Sequence, residues 1–117
     1  MLFRSCVLEE SQDMIVFKGE LKYLEADILH KRKIVLEKHT GTFRILDKVT
    51  SRLPCEALIN LCLGNCGTNY HISLNKGVFE EVEGFYSKEY GHKRKAVFLR
   101  YKTENCTNFT KEITIRR

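Results

Sequence analysis

The chain has 117 residues, 20 of them Lys or Arg against 15 Asp or Glu, for a formal net charge of +5. An apolar content of 43% with 30% charged residues is that of a globular protein, which excludes disorder, collagen-like repeats and low-complexity classes. The length suits one domain built around one core.

In chain order, the first ten residues hold an apolar run too short for a signal-peptide core, and no small-residue cleavage site follows. No stretch approaches the ~18 apolar residues of a membrane span. A cytoplasmic protein is expected, or one whose export signal lies in an upstream region. No window carries a sustained 3.6-residue apolar stripe, whereas short β-branched and aromatic runs with period two recur. They predict strands over residues 3–8, 14–18, 29–38, 42–49, 56–63, 68–75, 78–83, 96–103 and 108–116.

Turn signals separate these runs: Lys18-Gly19-Glu20, His39-Thr40-Gly41, Gly64-Asn65-Cys66-Gly67, Asn75-Lys76-Gly77 and Glu83-Gly84. Asn75-Lys76-Gly77 and His39-Thr40-Gly41 read as tight hairpins with a left-handed glycine. Residues 22–27 contain good helix formers and read as one short helix or as a strand and a loop. The expected fold is all-β, an antiparallel β-sandwich of two packed sheets with at most that one helix.

Alternation assigns faces. His30, Arg32, Ile34 and Leu36 share the inward face of their strand, with Lys31, Lys33, Val35 and Glu37 opposite. Arg32 is expected at the rim of the core, stem packed and charge outside. Phe43, Ile45 and Asp47 share one face of the next strand. In the last strand Phe109, Lys111, Ile113 and Ile115 fall together.

The tetrapeptide His-Lys-Arg-Lys occurs twice, at residues 30–33 and 92–95. Its six Lys and Arg residues carry the whole positive excess, since removing them leaves 14 basic against 15 acidic groups. Lys31, Arg32, Lys33, Lys93, Arg94 and Lys95 are therefore the candidate polyanion-binding residues. The competing reading gives these lysines to solubility and to protection of strand edges. Tyr86, Tyr90 and Tyr101 lie near the second cluster and would either stack on sugar rings or bases or pack in the core.

Five cysteines, Cys6, Cys55, Cys62, Cys66 and Cys106, leave at least one unpaired in a monomer and read as reduced, mostly buried thiols. Cys62, Cys66 and His71 approach zinc-ligand spacing, but the second close pair that structural zinc commonly takes is missing. No metal or other cofactor is expected. No catalytic motif is present: GxSxG, GxxxxGK[ST] and HExxH are all absent. Asn105-Cys106-Thr107 and Asn108-Phe109-Thr110 fit the glycosylation pattern, which matters only in an exported protein.

Two segments carry a family resemblance. His30-Lys31-Arg32-Lys33-Ile34-Val35-Leu36, followed by Phe43-Arg44-Ile45-Leu46-Asp47, resembles a hairpin in the C-terminal β-sandwich of heparinase II/III-like proteins. Gly84-Phe85-Tyr86-Ser87-Lys88-Glu89-Tyr90-Gly91, then Ala96-Val97-Phe98-Leu99, is similar to a late aromatic segment and strand of that family, and Ile113-Thr114-Ile115 to its closing strand. The likeness runs from about Asp27 to the C-terminus; residues 2–24 match nothing, and the cysteine set departs from the family's usual look.

The resemblance implies that the chain is a single β-sandwich domain or the C-terminal fragment of one. Full-length members have a helical toroid before the sandwich, and lyases among them cleave uronate-containing polysaccharides by β-elimination. Their Tyr and His catalysts lie in the helical domain and in an earlier part of the sandwich, so the resemblance carries no catalytic residue onto this chain. Arg32 and Asp47 match the hairpin motif, where the implied role is a structural salt bridge. The partners it implies are an acidic polysaccharide or an upstream helical catalytic domain. A free-standing basic β-module that binds nucleic acid is the alternative, and open strand edges suggest a homodimer.

Overall fold

The computed structural model describes residues 2–23, 27–62, 71–75, 77–87 and 89–116, with side chains from Cys6 onward. Among the described residues nine strands form two antiparallel sheets packed as a β-sandwich: β1 (Leu2–Glu10), β2 (Met14–Tyr23), β3 (Ile28–Glu37), β4 (Thr42–Cys55), β5 (Leu58–Cys62), β6 (His71–Leu74), β7 (Glu80–Tyr86), β8 (Arg94–Lys102) and β9 (Cys106–Arg116). The larger sheet has the order β1-β2-β3-β4-β9-β6, and the smaller one β5-β8-β7. Each of the nine expected strands has its counterpart, most with shifted ends; residues 63 and 68–70 of two of them lie outside the described residues.

β1 to β4 form an antiparallel meander of sequence neighbours. Gly41, at φ 69°, closes the β3–β4 turn, where its N–H donates to the Glu37 carbonyl at 2.9 Å. The register places Phe17 opposite Ile34, Ile34 opposite Ile45, and Ile45 opposite Ile113. These side chains form an apolar row across the inner face, and Ile113 is only 2% exposed. The sheets meet where the Lys111 ammonium lies 4.5 Å from the centroid of the Tyr101 ring, linking β9 to β8.

Three expected turns are not as read. Gly19 lies inside β2, which runs on through Lys22 and Tyr23 where a helix was an option. Residues 24–26 of that option, and the Gly64–Gly67 turn, lie outside the described residues. Gly84 lies inside β7, where an added Cβ would sit 2.5 Å from the Phe98 ring. In both strands the glycine serves close packing or an empty cross-strand position, not a reversal. Asn75–Gly77 does not close a hairpin, because β6 pairs with β9 while β7 pairs with β8. The segment carries the chain from one sheet to the other. Asn75 anchors it by exchanging backbone and side-chain hydrogen bonds with Glu112, both at 3.0 Å.

Gly77 has the left-handed backbone expected of it, at φ 89°, and an added Cβ would sit 2.4 Å from Tyr101 Cε2. Gly77→Ala therefore combines backbone strain with a clash against an inter-sheet side chain. We expect it to lower unfolding free energy by about 1–3 kcal/mol in chemical denaturation.

Candidate functional site

The β3–β4 hairpin brings three of the motif residues together. His30 and Arg32 are two apart on β3 and share its inner face, and the register sets Arg32 directly opposite Asp47 on β4. Arg32 Nε donates to Asp47 Oδ1 at 2.7 Å and its Nη2 to Oδ2 at 3.2 Å, while His30 Nε2 is 2.7 Å from Oδ1. Asp47 is 2% exposed. Burial pushes its carboxyl pKa up, but the hydrogen bonds and charges of His30 and Arg32 outweigh that and hold it below the usual value. The expected Arg32–Asp47 salt bridge is thus present, with Asp47 buried and the Arg32 side chain half-exposed at the rim as expected, and His30 is a third member that the sequence reading did not assign. Gly19 and Lys111 complete the cross-strand row on either side of this pair.

The other face of the same strands is different. Lys31 and Lys33 point away from Asp47, toward solvent. Register puts Lys33 opposite Lys18 of β2 and Lys31 opposite Lys48 of β4. Two directly opposed like-charge pairs therefore lie side by side, an arrangement that costs sheet stability. Glu20 offsets it in part, with its carboxylate 3.5 Å from Lys31. The lysine stems line an open, mostly apolar groove of about 490 Å³, with Val7 and Leu46 in its floor and walls.

The six candidate residues accordingly divide. Lys31 and Lys33 share the outer lysine face. Arg32, on the inner face, is engaged with Asp47. Lys93 precedes β8, and Arg94 and Lys95 open it opposite Tyr86 and Phe85. β3 and β8 lie in different sheets and are not neighbours, so the two tetrapeptides do not form one patch. Lys18 and Lys48 were not singled out from sequence. Reading Gly19 as a turn ended the expected strand at Lys18 and hid its position opposite Lys33, and Lys48 belongs to no charge run. Alternation from Asp47 places Lys48 outward, which is the signal that would have found it.

Tyr86, Tyr90 and Tyr101 do not lie on the lysine face. Tyr101 packs between Gly77 and Lys111, the Tyr86 hydroxyl is buried, and Tyr90 is exposed at the β7–β8 turn. Of the zinc-like set, Cys62 ends β5 in one sheet, His71 opens β6 in the other, and Cys66 lies outside the described residues. No group of three metal-ligating side chains occurs among the described residues.

No family model and no curated protein sequence matches the chain. Solved structures do. Heparan sulfate lyase HepC from Pedobacter heparinus is similar over 97% of this chain and 21% of its own, with a TM-score of 0.74 and 12% identity. A heparinase III, the BT4657 gene product, is similar over 97% of this chain and 20% of its own, at TM-score 0.72 and 12% identity. The chain therefore shares a heparinase-like fold, and it spans about a fifth of the length of the structures it matches. No helix among the described residues is long and apolar enough to cross a membrane.

The Asp47 cluster has a defined acid dependence. Because the folded carboxyl titrates below its unfolded value of 3.8, its stabilisation is complete above that value and is lost as pH falls through the folded pKa. Asp47→Asn should lower stability at pH 7 by about 2–4 kcal/mol, by leaving Arg32 and His30 facing a neutral amide. Denaturation between pH 2 and 7 should show a weaker acid dependence in the variant than in the wild type.

Proposed function

We propose that the chain is a β-sandwich module of a polysaccharide-lyase type of protein, without catalytic residues of its own, that binds acidic polysaccharide and supports a catalytic domain preceding it. The observation that carries the reading is the outer lysine face: Lys18, Lys31, Lys33 and Lys48 in two opposed pairs around an open groove. A sheet bears that repulsion without loss when a polyanion spans the four ammonium groups. The heparinase-like fold supports the same substrate class, since the proteins that share it are named for heparan sulfate or heparin.

Within the two tetrapeptides, Lys31 and Lys33 belong to this binding face. Arg32 holds the sheet together beneath it. Lys93, Arg94 and Lys95 form a separate basic segment that contributes as a second, weaker contact. Exposed apolar side chains such as Leu8 and Phe85 offer surface to the supported domain or to a second copy. Nucleic acid fits less well, because among the described residues no tyrosine accompanies the four lysines as a stacking platform.

Heparin-affinity chromatography near 0.1 M salt, where the Debye length is ~10 Å, tests the assignment. The combined change Lys18→Ala, Lys31→Ala, Lys33→Ala and Lys48→Ala should abolish retention with the fold intact, because exposed substitutions cost within ~0.5 kcal/mol each and like-charge pairs are relieved. Lys93→Ala with Lys95→Ala should elute slightly earlier than wild type. Full retention of the folded quadruple variant would reject the lysine face. Tighter binding of single-stranded DNA than of heparin at equal salt would favour the nucleic-acid reading.

A further inference from the structure

We propose that Cys55 and Cys106 are a disulfide-forming pair that locks the neck between the two sheets. Cys55 is the last residue of β4 and Cys106 the first of β9, and the register sets them directly opposite each other. Directly opposed residues of an antiparallel pair have Cα atoms ~4.5–5.5 Å apart, inside the ~4.4–6.8 Å that a disulfide spans. Both thiols are free and half-buried. The Cys55 thiol has one weak polar neighbour, the Ser51 hydroxyl at 3.5 Å.

The position gives the pair its consequence. Between Thr50–Asn108 and Cys55–Cys106 the β4–β9 ladder is irregular, with residues 51–54 on one strand against Thr107 on the other. Hydrogen bonding is interrupted there, and the cysteines are where the strands meet again. The chain leaves β4 just after Cys55 for the smaller sheet and re-enters β9 at Cys106. A bond between them closes a loop containing β5, β6, β7 and β8, and long loops gain most from closure. The other described cysteines have no such partner, since Cys6 faces Gly19 and Cys62 faces Phe98.

The chemistry balances with a small-molecule disulfide as oxidant. One thiol ionises, and its thiolate attacks oxidised glutathione, breaking the S–S bond and expelling one glutathione thiolate. The second cysteine thiolate attacks the protein sulfur of the mixed disulfide and expels the other glutathione. Two cysteine protons end on two glutathione thiols. Two electrons pass from the cysteine pair to the oxidant.

The full chain is equilibrated with excess oxidised glutathione, alkylated and digested without reductant. We expect a Cys55–Cys106 linked peptide as the main cross-link, a thermal midpoint raised by about 5–15 °C, and reversal of both by dithiothreitol. Cys55→Ser and Cys106→Ser should each lose the peptide and the shift. A variant with Cys6, Cys62 and Cys66 all changed to Ser should still form the intramolecular bond. Alkylation of Cys55 and Cys106 in the oxidised wild type, or only intermolecular cross-links in the triple variant, would overturn the proposal.

Discussion

Burying the Asp47 carboxylate in an apolar sheet face costs several kcal/mol unless donors and cations surround it. Arg32 and His30 supply both from the adjacent strand, and they do so in one register only. A slip of one residue between β3 and β4 would turn Asp47 toward the outer lysines and bring Lys48 inside. The polar cluster therefore specifies the pairing that the surrounding isoleucines and leucines stabilise. It also fixes the opposite face, because the same register that seats Asp47 against Arg32 sets Lys31 against Lys48. The inner ion pair and the outer lysine groove are two sides of one constraint.

A second constraint acts at the end of β4. That strand is the longest among the described residues and pairs with β3 along most of its length, but Ser51-Arg52-Leu53-Pro54 leaves the β9 ladder before Cys55 rejoins it. Pro54 has no N–H to donate, so the ladder breaks where its loss is tolerated. Beyond it Ala57 and Thr103 exchange two hydrogen bonds of 2.9 Å and start the smaller sheet. Together with the Lys111–Tyr101 contact, this hand-over sets how the sheets face each other.

Fold class was legible because nine period-two runs each need a half-buried face, and an antiparallel sandwich supplies it. The inward set of β3 and the grouping of Lys111 with Phe109, Ile113 and Ile115 also followed from alternation. Pairing was harder. Gly77 has the expected left-handed backbone, yet nothing local states whether the chain there turns back or crosses to another sheet. Gly19 and Gly84 looked like turns because glycine is ambiguous between a reversal and a position where a neighbour needs room. That ambiguity hid Lys18, and with it half of one lysine pair. Charge runs drew attention to Arg32, whose partner is across the sheet rather than beside it in sequence.

The β4–β9 pairing has a kinetic side. β1 to β4 each pair with the next strand in sequence, so their contacts form at little loop-closure cost. β9 inserts between β4 and β6, and its partner on β4 lies a whole sheet earlier in the sequence. Its sequence separation gives that pairing a larger loop-closure cost than the β1–β4 pairings. Until it forms, the edge of β4 is an open template, with Ile45 and Phe43 presented to any extended chain nearby. The local contacts of the meander need little closure, whereas the distant closing strand is what covers the β4 edge.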